Sequence, residues 1–223
     1  MSGEIVLIFG PPGSGKGTQG DLLAESLGLK KVSTGDIFRR NVSEGTELGK
    51  KVESIINAGN LVSDDILAQL VESELNSDPS QSILLDGYPR TLVQAQNFRQ
   101  MKAFDRVVKV IYLDASDKLV SDRILGRRIC SGCNYVYNIN AMKTQKEGFC
   151  DQCGSALITR EDDTVEKVAA RLAIYKEMTL PLLDFFNEFG FLEKVDGEKT
   201  PKEVCLEISN KLSGIKKREG KSS

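Results

Sequence analysis

The chain has 223 residues, 40% of them hydrophobic and 28% charged, with a formal net charge of −2. That length suits one globular core with one or two excursions from it, and the slight acidity argues against a nucleic-acid binder, which needs a Lys/Arg surplus to neutralise phosphate. Without a single histidine, a Ser/His/Asp or Cys/His nucleophile is excluded, and acid–base work would fall to Asp, Glu, Lys or water.

The run 4–9, EIVLIF, is continuously apolar and predicts a strand buried on both faces. Only nine residues precede Gly10, so no signal peptide is expected. No apolar run approaches the ~18 residues of a membrane span. The expected setting is cytoplasmic, where thiols stay reduced. Leu22, Leu23 and Leu27 mark a helix that stops at Gly28. KKVS (30–33), SILLDG (82–87), VVKVIYLD (107–114) and FLEKVDG (191–197) predict further strands. Between them, Ser63, Asp64 and Asp65 open a helix whose apolar face is Ile66, Leu67, Leu70 and Val71. Residues 164–189 predict one long amphipathic helix kinked or broken at Pro181. Strands alternating with helices give a parallel sheet covered on both faces. Residues 34–62 and 129–159 do not fit that alternation and read as insertions. The tail KKREGKSS predicts disorder. Cys205, between Val204 and Ile208 on a helical pattern, reads as a core residue.

Gly10-x4-Gly15-Lys16 follows a strand and opens a helix, the context a phosphate-binding P-loop needs. Its glycines let backbone N–H groups turn onto phosphate oxygens, the helix N-terminus adds partial positive charge, and Lys16 adds a full one. The plain alternative is a Gly/Pro turn. Gly17 stands where the general motif has Ser or Thr, with Thr18 one place later. Mg²⁺ would therefore be held through water rather than by a direct hydroxyl. A GTPase switch would need Asn-Lys-x-Asp and Asp-x-x-Gly; residues 210–213 (NKLS) and 86–89 (DGYP) supply neither. Asp86 ends a predicted strand, where open α/β sheets place ligands, and suits a Mg²⁺-bound water. Arg90, after a Gly-Tyr-Pro turn, would extend over the same cleft. Arg123 and Arg127 are spaced i, i+4 and predict one helix face, with Arg128 beside them. Like charges at that spacing repel unless an anion lies between them. Arg160 and Arg171 flank the start of the predicted long helix. Each pair alone reads as a solvated face; together with the P-loop they read as a clamp for several phosphates.

Cys130-x2-Cys133-x16-Cys150-x2-Cys153 has the spacing of a four-thiolate structural zinc site, with no coordination position left for catalysis. Two disulfides or a redox C-x-x-C are the alternatives, the first disfavoured by a reducing compartment.

In this order, GPPGSGKGTQ, STGDIFRR, DGYPRTLVQAQ, DRILGRR, the paired knuckles and TREDD resemble the long-form adenylate kinases with a zinc-bearing lid, within the nucleoside monophosphate kinases. The likeness covers nearly all of residues 4–212. It implies a P-loop NTPase fold, a five-stranded parallel sheet flanked by helices. The core would be 1–33, 63–125 and 164–212, with an AMP-binding helical insertion at 34–62, a lid at 126–163 and a disordered tail at 213–223. It implies Mg²⁺-dependent transfer, ATP + AMP giving 2 ADP. ATP would lie on Gly13, Ser14, Gly15, Lys16, Gly17 and Thr18, with Arg127, Val136, Tyr137 and Lys199. AMP would lie on Thr34, Arg39, Asn60, Leu61, Val62, Gly87, Tyr88, Pro89, Arg90 and Gln94, with Arg160 and Arg171; Gln94 would read the adenine edge. Lys16, Arg90, Arg123, Arg127, Arg160 and Arg171 would act in the transfer. Asn60 stands where the family commonly has Lys, at contacts made by backbone. The resemblance further implies a monomer whose partners are ATP, AMP and ADP, with no nucleic acid or membrane. A kinase for another nucleoside monophosphate is the nearest rival. A non-catalytic zinc ribbon touching RNA is the rival from another class.

Overall fold

The computed structural model describes residues 2–57, 63–141, 144–160 and 163–213. Its centre is a five-stranded, wholly parallel sheet in the order β2-β3-β1-β4-β8, with β1 Ile5–Phe9, β2 Lys30–Ser33, β3 Ile83–Asp86, β4 Val107–Asp114 and β8 Leu192–Asp196. All five residues of β1 are buried, as a strand with partners on both edges and helices on both faces must be. Ile5, Leu7 and Phe9 face one core, which also takes Leu85, Phe98 and Phe186; Val6 and Ile8 face the other, with Leu23, Val204 and Ile208. Cys205 is half-buried against this second core.

Helices α1 Lys16–Leu27, α2 Thr34–Ser43, α3 Glu47–Asn57, α4 Asp64–Ser77, α5 Leu92–Gln100, α6 Asp117–Leu125, α7 Val165–Ile174, α8 Leu182–Asn187 and α9 Pro201–Lys211 complete the layers. Their starts follow the expected chemistry. Ser63 caps α4 by accepting from Ile66 N–H, and Thr200 and Glu203 form a reciprocal capping box on α9. The chain leaves β1 toward β2 on one side and later crosses to β4 on the other. A crevice therefore opens at the carboxyl ends of the strands beside β1, where such sheets hold ligands. At the opposite end of the sheet, Arg106 donates to the carbonyls of Gly3, Leu75 and Gln81 at 2.7–2.9 Å. That end is closed by structure; the other is open for function.

A second, antiparallel sheet has three short strands in the order β6-β5-β7, with β5 Arg127–Cys130, β6 Val136–Asn138 and β7 Leu157–Ile158; Cys130 ends β5, and Cys133, Cys150 and Cys153 lie in the connections between the strands. It joins the main body through Asn138, whose amide donates to the Arg123 carbonyl at 3.1 Å, and through Ile139 N–H on the Gly126 carbonyl at 2.9 Å.

One expectation needs correction. Arg123 and Arg127 do not share a helix. α6 ends at Leu125, Gly126 caps it through its N–H on the Asp122 carbonyl, and Arg127 opens β5. The 164–189 segment is broken at Pro181, as expected, but its bonding changes before the proline. It widens into a π-helical turn at Tyr175–Thr179, with Leu180 N–H on the Tyr175 carbonyl at 2.9 Å, and Pro181 heads the separate α8. Proline has no N–H to continue the helical ladder, so the chain changes its bonding one turn early. The expected tail lies, from residue 214 onward, outside the described residues. Among the described residues no helix is long and apolar enough to cross a membrane.

Candidate active site

The P-loop runs from the carboxyl end of β1 into α1, with Gly15 at φ 100° just before the helix. Gly13 is needed for two reasons: its φ is +81°, and a Cβ there would lie 2.6 Å from the Val120 carbonyl oxygen. Ser14 is buried, and its hydroxyl has no partner. Lys16 turns back onto its own loop, donating to the carbonyls of Gly10 at 2.7 Å and Pro11 at 2.9 Å. Burial pushes its ammonium from 10.5 down to about 8; Asp86 opposes that shift, while Arg90, Arg171 and Arg127 add to it. Asp86 at the end of β3 and three arginines from separate segments thus act on one lysine.

Arg90 reaches the cleft from the turn after β3. Gly87, at φ +83°, leaves room for it: a Cβ there would sit 2.9 Å from an Arg90 terminal nitrogen and 3.1 Å from Thr34 Oγ1. Arg90 Nε donates to the Gly87 carbonyl at 2.9 Å, and buried Thr34, at the start of α2, donates to the same carbonyl at 3.3 Å. Tyr88 and Pro89 are buried beneath, Tyr88 edge-on to Phe98. Gln94 is buried on α5; its oxygen accepts from Arg90 N–H and its NH₂ donates to Asp64, both at 2.7 Å. One amide N–H and one lone pair remain for a ligand.

Arg127 comes from the small sheet and Arg171 from α7. They meet on Asp163, whose side chain has no solvent exposure. Arg127 Nε donates to Oδ2 at 2.8 Å and its terminal nitrogen to Oδ1 at 2.5 Å, while Arg171 stands 3.5 Å from Oδ1. Asp163 N–H in turn donates to the Arg160 carbonyl at 3.1 Å. Arg123 donates to the carbonyls of Gly197 at 2.8 Å and Ser14 at 3.4 Å, and burial holds its pKa below the ordinary value. It thus bonds the P-loop on one side and the turn after β8 on the other.

The remaining expected residues are less uniform. Lys199 is exposed and paired with Glu207 at 2.8 Å. Val136 is exposed, but the Tyr137 ring is buried with Cys130 and Cys150, so it has no open face for a base. Arg39 lies on α2 with its side chain outside the described set, and Asn60, Leu61 and Val62 lie outside the described residues. Gly17 and Thr18 sit in the first turn of α1.

Sequence reasoning assigned no role to Asp163, although it stands between Arg160 and Arg171. A carboxylate among arginines was visible; that it is buried and bidentate was not. Asp64, noted only as a helix opener, also fixes Gln94.

The four cysteine sulfurs lie within 4.8 Å of one another, the nearest pairs being Cys130–Cys153 at 3.2 Å and Cys133–Cys150 at 3.6 Å. Thiolates ~2.3 Å from one tetrahedral ion would be roughly 3.8 Å apart. The nearest pairs join one knuckle to the other, and all four thiols are free. Backbone N–H groups of Gly132 and Cys133 donate to Cys130 Sγ at 3.3 and 3.4 Å, the support a ligating thiolate receives. The donor set fits zinc.

A strand-to-helix loop for phosphate, closed on by arginines from elsewhere in the chain, defines a P-loop phosphotransferase. Residues 8–191 match the family model for adenylate kinase. The chain is 41% identical over 216 residues to an adenylate kinase of Fervidobacterium nodosum, covering 96% of this chain and 99% of that one. It is 39% identical to one of Clostridium tetani over 94% and 99% of the two chains, and 41% identical to one of Symbiobacterium thermophilum over 91% and 95%. The chain belongs to the adenylate kinase family.

Proposed function

We propose that the chain catalyses reversible, Mg²⁺-dependent phosphoryl transfer between ATP and AMP to give two ADP, as a cytoplasmic monomer serving adenine nucleotide homeostasis. The observation that carries this is the gathering of cations from separate segments at the P-loop: Lys16 on the loop itself, Arg123 on the Ser14 carbonyl, and Arg127 and Arg171 meeting on Asp163. A loose transition state spreads negative charge over the equatorial oxygens of the transferring group, so converging cations are the catalytic apparatus it needs. The acceptor is already an ionised phosphate, and a strong general base is unnecessary. This suits a chain without histidine.

In this reading the loop from Gly13 to Thr18 cradles the ATP phosphates, and Lys16 exchanges the Gly10 and Pro11 carbonyls for phosphate oxygens. Asp86 would hold Mg²⁺ through water, and the ion would supply positive charge to the phosphates. Val136, Lys199 and the Tyr137 backbone serve the donor's base and ribose side. Thr34, Arg39, Gly87, Tyr88, Pro89, Arg90 and Gln94, with the stretch Asn60 to Val62, hold AMP. Arg123, Arg127, Arg160 and Arg171 close on the transferring group. Residues 34–62 act as the acceptor insertion and 126–163 as the lid, on a core of 1–33, 63–125 and 164–212. Cys130, Cys133, Cys150 and Cys153 hold zinc, which contributes folding free energy to the small sheet.

The test is an acceptor panel. Initial rates with Mg·ATP and AMP, UMP, CMP or GMP should favour AMP by orders of magnitude, because a pocket with unpaired polar groups can reject a wrong base by ~10⁴. A preference for UMP or CMP would move the chain to the neighbouring specificity. RNA binding without ADP formation would overturn the enzymatic reading.

A further inference from the structure

The backbone of Arg90 is held from two directions. Its N–H donates to Gln94 Oε1 at 2.7 Å, a local contact from α5. Its carbonyl accepts from Thr179 Oγ1 at 2.9 Å, a contact spanning 89 residues of sequence. Thr179 is the last residue of the π-helical turn, and that turn continues without a break from α7, the helix that carries Arg171. One hydroxyl therefore ties the Arg90 turn to the Arg171 helix.

The geometry gives the π turn a purpose beyond accommodating Pro181. One residue added to a turn shifts everything after it by about 100° around the helix axis. The bond from Leu180 N–H to the Tyr175 carbonyl, five residues back, is that addition. Thr179 is the last residue of that widened turn, and it is from there that its hydroxyl meets the Arg90 carbonyl. The Arg90 guanidinium has few anchors of its own: it is exposed, with Nε on the Gly87 carbonyl and a terminal nitrogen 3.4 Å from Thr34 Oγ1. Its aim follows from where its backbone is pinned.

We infer that Thr179 is a positioning residue for the transfer step: its hydroxyl fixes the Arg90 carbonyl and couples Arg90 to the helix bearing Arg171, so that the two cations keep a set spacing across the transferring phosphate. This rests on the reading of Arg90 as a transfer-step cation. A misplacement of about 1 Å can cost ~100-fold in rate, and a slackened rather than severed anchor should cost about tenfold. The lost bond is at the surface, where water replaces it, so stability should change little.

The experiment is a kinetic cycle on the full chain with Mg·ATP and AMP. Thr179→Val, which keeps the shape and removes the hydroxyl, is expected to lower kcat about tenfold, with both KM values within about twofold of wild type. Thr179→Ser should restore kcat to within about twofold. Arg90→Ala should lose ~10³ or more, and Thr179→Val added to it should cost nothing further, because the hydroxyl acts through Arg90. Should Thr179→Val shift the thermal midpoint by more than about 5 °C, Thr179→Ala takes its place in the cycle. Wild-type kcat in the Thr179 variant, or a full tenfold loss on top of Arg90→Ala, overturns the positioning role while leaving the Arg90 reading intact. An Arg90→Ala enzyme within tenfold of wild type overturns both.

Discussion

The two sheets supply cations to one site but are held together by different means. The parallel sheet rests on two extensive apolar cores, with every residue of β1 buried, and it would keep its shape with the crevice empty. The small sheet has a core of Cys130, Tyr137 and Cys150, with Leu157 against it. So few apolar side chains cannot offset the conformational entropy of ordering that segment. Lys16 and Arg90 therefore stand on a self-sufficient frame. Arg127 stands on an element with a far smaller core, gathered at four clustered cysteines and bonded to Asp163 at its edge.

The sharpest way to break the comparison is to remove the metal. Structural zinc contributes on the order of 10 kcal/mol of coupled folding free energy. Chelation of the zinc-loaded protein should lower its thermal midpoint and abolish turnover, while AMP affinity, measured calorimetrically, stays within about twofold. An unchanged melting curve after verified metal loss would show that the small sheet folds without it. A smaller effect is expected from Asp163→Asn. It leaves the 17%-exposed Arg127 side chain without its bidentate partner, a change that costs about 3 kcal/mol for a buried pair. Urea unfolding should show that loss, and kcat should fall about tenfold or more as Arg127 and Arg171 drift. Full stability in this variant would mean that the small sheet fixes Arg127 unaided.

The smallest effect lies on the core side. Lys16, at about 8 in the folded chain against 10.5 ordinarily, releases its proton at lower pH when folded than when unfolded. Between those values the unfolded chain binds more protons, so the lysine's contribution to stability becomes more favourable as pH rises through the window and is least favourable below about 8. Phosphate binding restores the charge, so nucleotide affinity should run the opposite way. Mg·ATP should bind about tenfold more weakly at pH 9.5 than at pH 7, with the slope absent in Lys16→Met. An affinity flat across that range in the parent protein would show that the lysine keeps its ordinary pKa.

The two regions also differed in how much of them the sequence disclosed. EIVLIF and VVKVIYLD became β1 and β4 because central strands covered by helices are dominated by apolar residues, which is a local signal; Lys109 within β4 is paired with Glu193. The strands of the small sheet span two to four residues, and its cysteines meet in pairs 17 and 23 residues apart in the chain. Spacing revealed the cysteine cluster but not the sheet. Arg123 and Arg127 looked like helical neighbours because charge periodicity does not register a cap at Gly126. Pro181 announced a break, yet the π turn ahead of it answers to the Arg90 loop, a tertiary partner no local pattern names. The cations of the site were legible as residue types; the carboxylate that receives two of them was not, since burial is a property of the fold.

Asp163 has a consequence for what the cleft can capture. Arg127 arrives at any ligand already satisfied by an anion, so binding there is an exchange of partners rather than the filling of a void. A ligand gains only the difference between its own charge and one carboxylate. Singly charged ions such as chloride or acetate have little to offer in that trade, whereas a polyphosphate chain has a surplus. On the proposed reading, such a site would stay quiet among small anions and answer first to charge density.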